Sequence, residues 1–102
     1  MYRGFLDKET KSNYRKILDA TIALVKQRYE LTQLPLYNNI YVQLLDIKEN
    51  VVMSSNFVNP DEIDERYSIG AIATKNFSED GEMQERLYDI FSGACDYNIL
   101  LE

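Results

Sequence analysis

The chain predicts an α+β fold: a small antiparallel sheet of three to four strands with an N-terminal and a C-terminal helix packed on it, a two-layer sandwich. Three observations lead there. Apolar residues recur at three- and four-residue steps near both ends of the 102-residue chain. Between them lie runs of alternating or β-branched apolar residues, bounded by polar breaks. No repeat, low-complexity tract or Gly/Ser linker divides the sequence, so residues 1–102 read as one domain.

The first element is "SNYRKILDATIALVKQRYELTQLP". Tyr14, Ile17, Leu18, Thr21, Leu24, Val25 and Tyr29 share one arc at 100° per residue, while Lys8, Lys11, Arg15 and Lys26 lie opposite. Ser12 is the expected N-cap, with "DKET" able to add an earlier turn, and Pro35 ends the helix. In "NNIYVQLLDIKENVVMSSNFV" the period becomes two, with Ile40, Val42 and Leu44 on one side and Tyr41, Gln43 and Leu45 on the other. With "KEN" as the turn, this predicts a hairpin. A third strand is expected over "YSIGAIAT", where Gly70 implies a bulge or the close packing of a helix. "NFSEDGEMQERLYDIFSGACDYN" returns to helical spacing through Met83, Leu87, Ile90, Phe91 and Ala94, with Ser78 or Asp80 as N-cap. "NILLE" is a last short strand or an apolar tail.

Composition removes several chemistries. The chain has no histidine and one cysteine, Cys95. Zinc sites built from His and Cys, Ser–His or Cys–His nucleophiles and internal disulfides are therefore excluded. No apolar run nears the roughly 20 residues needed to span a bilayer, and no signal segment is evident. A cytoplasmic, non-enzymatic protein with no cofactor, no metal and no membrane partner is expected, monomeric or homodimeric. Cys95 reads as a small packed residue rather than a reactive thiol.

Charge divides unevenly. Residues 1–45 carry seven Lys/Arg against four Asp/Glu, and residues 46–102 carry four against thirteen, giving the net −6. Such a protein is a poor general ligand for nucleic acid, because phosphate neutralisation needs clustered cations. The cations of the first helix, with Asp19 among them, are expected to meet acidic neighbours or water.

The densest feature is "NPDEIDERYSIG". Asn59 and Pro60 read as a cap and first helical position, and the acids that follow suit the positive end of a helix. As a calcium loop counted from Asp61 it fails: its sixth position is Arg66 where the turn needs glycine, and its twelfth is Ile72 where it needs Glu. A second acidic group, Glu82, Glu85 and Asp89, lies opposite the apolar arc of the last helix, beside Tyr88, and Glu82 can pair with Arg86. Each group has a bland reading as a wet helix face. Together, Asp61, Glu62, Asp64, Glu65, Tyr67, Glu82, Glu85, Tyr88 and Asp89 form a candidate surface for a basic protein, carboxylates matching Lys and Arg and Tyr supplying contact area.

In size, acidity and lack of histidine, the chain resembles in profile the bacterial immunity or antitoxin-type inhibitors, though no sequence motif carries the resemblance. That resemblance implies a basic partner such as a nuclease toxin, whose cationic site the acids would cover. Two alternatives stand beside it: a small carboxylate- or metal-dependent enzyme working through Asp61 or Asp64, and a homo-oligomeric subunit whose copies bury an apolar face of the sheet.

Overall fold

The computed structural model describes residues 10–54 and 60–101. Among these residues every extended element is helical. The α+β expectation is overturned: no sheet exists among them, and the sole β feature is an isolated parallel bridge between Thr10 and Leu101.

Helix α1 spans Lys11–Thr32. Its N-cap is Thr10, not Ser12, and the Thr10 hydroxyl accepts from the Asn13 N–H at 3.1 Å. The predicted apolar arc is its core face, with Tyr14, Ile17, Leu18, Thr21 and Val25 buried and Leu24 and Tyr29 half-buried. It stops at Gln33, which turns left-handed at φ 59° and donates its N–H to the Tyr29 carbonyl at 2.7 Å. Pro35 then opens the next helix rather than merely ending this one, since its missing N–H is no loss at a first helical position.

Helix α2, Pro35–Ile47, occupies the segment predicted as the first strand. Buried Ile40, Leu44 and Ile47 are spaced at four and three residues, and half-buried Leu36 extends that row by another turn. The apparent alternation arose because nearly every residue here is apolar, so a two-residue period and a helical one fit equally well. The expected turn at "KEN" is a π-helical continuation, Lys48–Met53, in which the Ser54 N–H reaches the Glu49 carbonyl at 3.0 Å. Val51 continues the buried row. Residues 55–57 of the predicted second strand lie outside the described residues, as do Lys8 and Asn59.

Helix α3, Pro60–Arg66, has Pro60 at its start as expected. The predicted third strand is instead α4, Ile69–Asn76, burying Ile69 and Ala73. Its Gly70 marks a close helix approach: a Cβ there would stand 3.3 Å from Cδ2 of Phe91. Helix α5, Gly81–Asp96, starts from Asp80, whose carboxylate accepts from the Met83 N–H at 3.3 Å. Met83, Leu87, Ile90 and Ala94 are buried as predicted. A 3-10 turn, Tyr97–Ile99, follows in place of the short strand.

Helix α1 pairs with α2 across a two-residue turn, and α5 packs on α1, α3 and α4. The core lies between these layers. Tyr14 crosses it, its hydroxyl donating to the Ile90 carbonyl at 2.8 Å. Arg28 reaches Asp80 at 2.7 Å, and Arg86 reaches the buried Thr21 hydroxyl at 3.1 Å, so two cations clasp α1 to α5. Among the described residues, no buried side-chain nitrogen or oxygen lacks a hydrogen-bond partner.

Candidate partner-binding surface

Helix α3 is an acidic strip because only one of its seven residues turns inward. Ile63 is buried, while Asp61, Glu62, Asp64 and Glu65 are exposed. Asp61 and Glu62 occupy the first turn and Arg66 the last, a disposition that favours the helix macrodipole. The helix is held at its C-terminal end. Arg66 grips Asp46 of α2 through Nε at 2.6 Å and Nη2 at 2.9 Å. The Tyr67 hydroxyl donates to the same carboxylate at 2.6 Å, and Asn50 Nδ2 donates at 2.9 Å. The hydrogen bonds from Arg66, then Tyr67, hold the Asp46 carboxyl below its ordinary range despite partial burial. Burial, then the bond to Asp46, pushes the Tyr67 phenol up.

One turn earlier on α2, Gln43 donates to the Ser68 hydroxyl at 3.0 Å and accepts from the Ser68 N–H at 2.7 Å. It thereby fixes the corner between α3 and α4 against α2. Val42, Gln43, Asp46, Arg66 and Tyr67 together line a groove of about 300 Å³. Outward from it, Val42 is 55% exposed and Leu45 40%.

Residues 13–95 match the profile of the Tsi6 family. The chain belongs to the Tsi6 family. This is an immunity-type family of type VI secretion. No curated protein and no solved structure gives a match to this Tsi6-family chain.

The Tsi6-family fold separates the two acidic groups. Burial, followed by the nearby charges of Asp96 and Asp64, pushes the Cys95 thiol up. Helix α3 packs on α5 and the charge of Asp64 is felt at Cys95 in its last turn, whereas Glu82 and Glu85 sit in its first two turns. A helix of this length spans roughly 24 Å. The expected site residues on α5 are also more committed than the sequence implied. Glu82 accepts from Arg86 Nε at 3.1 Å, as its spacing predicts. Tyr88 shares a hydrogen bond with the Thr74 hydroxyl, and Asp89 is half-buried. Glu85 is exposed. Tyr67 is buried where it lines the groove, so it supports the surface rather than covering it.

Three cations of α1, Lys11, Arg15 and Arg28, are engaged within the protein. Arg15 donates to the Tyr97 hydroxyl at 3.0 Å, Lys11 lies over the Tyr97 ring at 5.5 Å, and Asp19 takes Lys48 at 2.8 Å. Among the described residues, no three Cys, Asp or Glu side chains converge as a metal-holding group, and no helix is long and apolar enough to cross a membrane.

The Asp46–Arg66–Tyr67 cluster and its groove were not legible in the sequence. Asp46 and Arg66 are 20 residues apart, and neither belongs to a spacing that one helix or hairpin would bring together.

Proposed function

We propose that this Tsi6-family chain is a non-enzymatic immunity protein that neutralises a toxin by binding it through the carboxylates of α3, covering a cationic site on a basic toxin such as a nuclease. The observation that carries this reading is the exposure of Asp61, Glu62, Asp64 and Glu65 on one short helix anchored by Asp46 and Arg66. Exposed carboxylates keep their hydration until a partner's cations replace it, and complementary potentials then speed encounter and exclude wrong partners. Glu85, Tyr88 and Asp89 extend the same reading along α5. Inhibition in this mechanism needs no chemistry from the chain: occupation of the toxin's cations denies them to its substrate.

The test takes a toxin domain sought in the reading frames that neighbour the gene for this chain, produced with an inactivating substitution. Binding is expected, and it should weaken as salt rises. Replacing Asp61, Glu62, Asp64 and Glu65 together by Lys should weaken it tenfold or more, about 1.4 kcal/mol, with the helical circular dichroism retained. Unchanged affinity at low salt would remove α3 from the interface.

A further inference from the structure

The acids of α3 are contiguous with an apolar feature that the toxin-binding reading does not use. Glu62 is four residues before Arg66, on the same side of α3, and Arg66 lines the groove shared with α2. Across that groove stands Val42, and Leu45 follows it on the outer face of α2. Other exposed apolar side chains, such as Leu31, Leu34 and Met53, flank helix ends rather than a groove, and exposed apolar residues scattered singly are ordinary on a protein surface. Val42 and Leu45 differ because they lie three residues apart in the middle of a helix, next to a concavity.

Resting on that reading, we propose that the groove between α2 and α3 receives one aromatic side chain projecting from the basic surface of the toxin, while Glu62 and Glu65 meet cations around it. The occupant follows from three features. The groove volume, about 300 Å³, is at the lower limit of small-molecule sites and suits a single side chain. Its walls pair an aliphatic group, Val42, with a guanidinium, Arg66, which is 47% exposed and whose plane is fixed by two bonds to Asp46. A fixed guanidinium face stacks on aromatic rings. The surrounding charge is negative, which selects a ring set among Lys and Arg. An apolar anchor in a pocket with a charged rim is the usual anatomy of an interface centre.

The experiment measures affinity for the same toxin domain with three substitutions. Val42→Asp charges the wall, Val42→Phe fills the groove with the chain's own ring, and Glu30→Lys reverses an exposed charge in the last turn of α1, outside the groove and the acidic helices. All three sites are solvent-exposed, so melting temperatures should stay within a few degrees of the parent. Both Val42 variants should weaken binding tenfold or more, and Glu30→Lys less than threefold. Retained or improved binding by Val42→Phe overturns insertion of a side chain. A parent protein that is dimeric by light scattering, and is made monomeric by Val42→Asp, assigns the face to a second copy and overturns the proposal. Failure of the parent to bind the toxin domain at all overturns the immunity reading itself. Binding that persists with both Val42 variants overturns only the groove.

Discussion

The guanidinium of Arg66 in α3 meets both carboxylate oxygens of Asp46 in α2, at 2.6 and 2.9 Å. The same carboxylate accepts the Tyr67 hydroxyl and the Asn50 amide, so one acid holds two helices and a π-helical turn in register. Two bonds from one planar group fix orientation as well as distance. Because α3 buries little besides Ile63, this contact sets where its acids point.

Replacing Asp46 should therefore loosen α3 while leaving most of the core intact. Asp46→Ala strands the Tyr67 hydroxyl, whose residue is 4% exposed, and such a loss costs about 2 kcal/mol. The Arg66 side of the cluster is half-exposed and adds little. Chemical denaturation should show this loss of stability. Hydrogen exchange should show faster opening of α3 than of α1.

The acid limb of stability should trace to two carboxylates. Arg66 holds Asp46 below the usual carboxylate range, and Arg28 does the same for Asp80, helped by the Met83 N–H. A depressed pKa in the folded state contributes stability that is present above the unfolded value, about 3.9, and is lost as pH falls through the folded value. Melting temperature should accordingly be flat above about pH 5 with respect to these groups and fall below about pH 4. In the Asp46→Asn, Asp80→Asn double variant that fall should be shallower, with a lower plateau at neutral pH. An unaltered acid limb would assign it to other groups.

The terminal helices were legible because charged and apolar residues segregate cleanly around them. Exposed Lys16, Asp19, Lys26 and Glu30 face away from buried Tyr14, Leu18 and Val25, so only one period fits. From Ile40 to Ile47 only Gln43 and Asp46 are polar, and that contrast is too weak to separate two periods. Leu36, Ile40, Leu44, Ile47 and Val51 hold a helical row, but Val42 and Leu45 are exposed apolar residues that mimic alternation. β-branched residues and the shortness of "SIGAIAT" hid α4 in the same way, since tertiary packing overrides local propensity. Of the site, the exposed acids of α3 could be read directly from their density. The grip that orients them depends on two residues 20 positions apart, which no local pattern encodes.

Gly70 gives a test of how closely α4 approaches α5. A Cβ at this position meets the Phe91 ring at 3.3 Å, tight enough that the ring must yield slightly. Helix propensity favours Ala over Gly by up to about 1 kcal/mol, so Gly70→Ala should lie close to the parent in stability. Gly70→Leu adds atoms that the ring cannot accommodate and should lose about 1–3 kcal/mol. A denaturant midpoint for Gly70→Leu equal to the parent would mean the two helices stand farther apart.

Tyr14 tests the centre of the core. Its hydroxyl is buried and donates to the Ile90 carbonyl, and burial pushes its pKa well up, so it stays neutral at physiological pH. Tyr14→Phe removes the hydroxyl and its bond to Ile90 and should cost about 1 kcal/mol, measured as a shift in midpoint with an unchanged denaturant slope. A loss several times larger would mean that the hydroxyl also holds the α1–α5 spacing.

Charge and groove should separate in binding kinetics. Exposed carboxylates act over a Debye length, about 8 Å at physiological ionic strength, and so influence encounter more than residence. Glu62→Lys and Glu65→Lys should slow association with the toxin domain, and the difference from the parent should shrink as salt is raised. A ring seated against Val42 and Arg66 must leave before the complex parts, so Val42→Asp should chiefly speed dissociation. Surface-resonance traces at two salt concentrations distinguish these effects. If Val42→Asp slowed association and left dissociation unchanged, the added negative charge at that site would be acting at long range, and no side chain would be seated there.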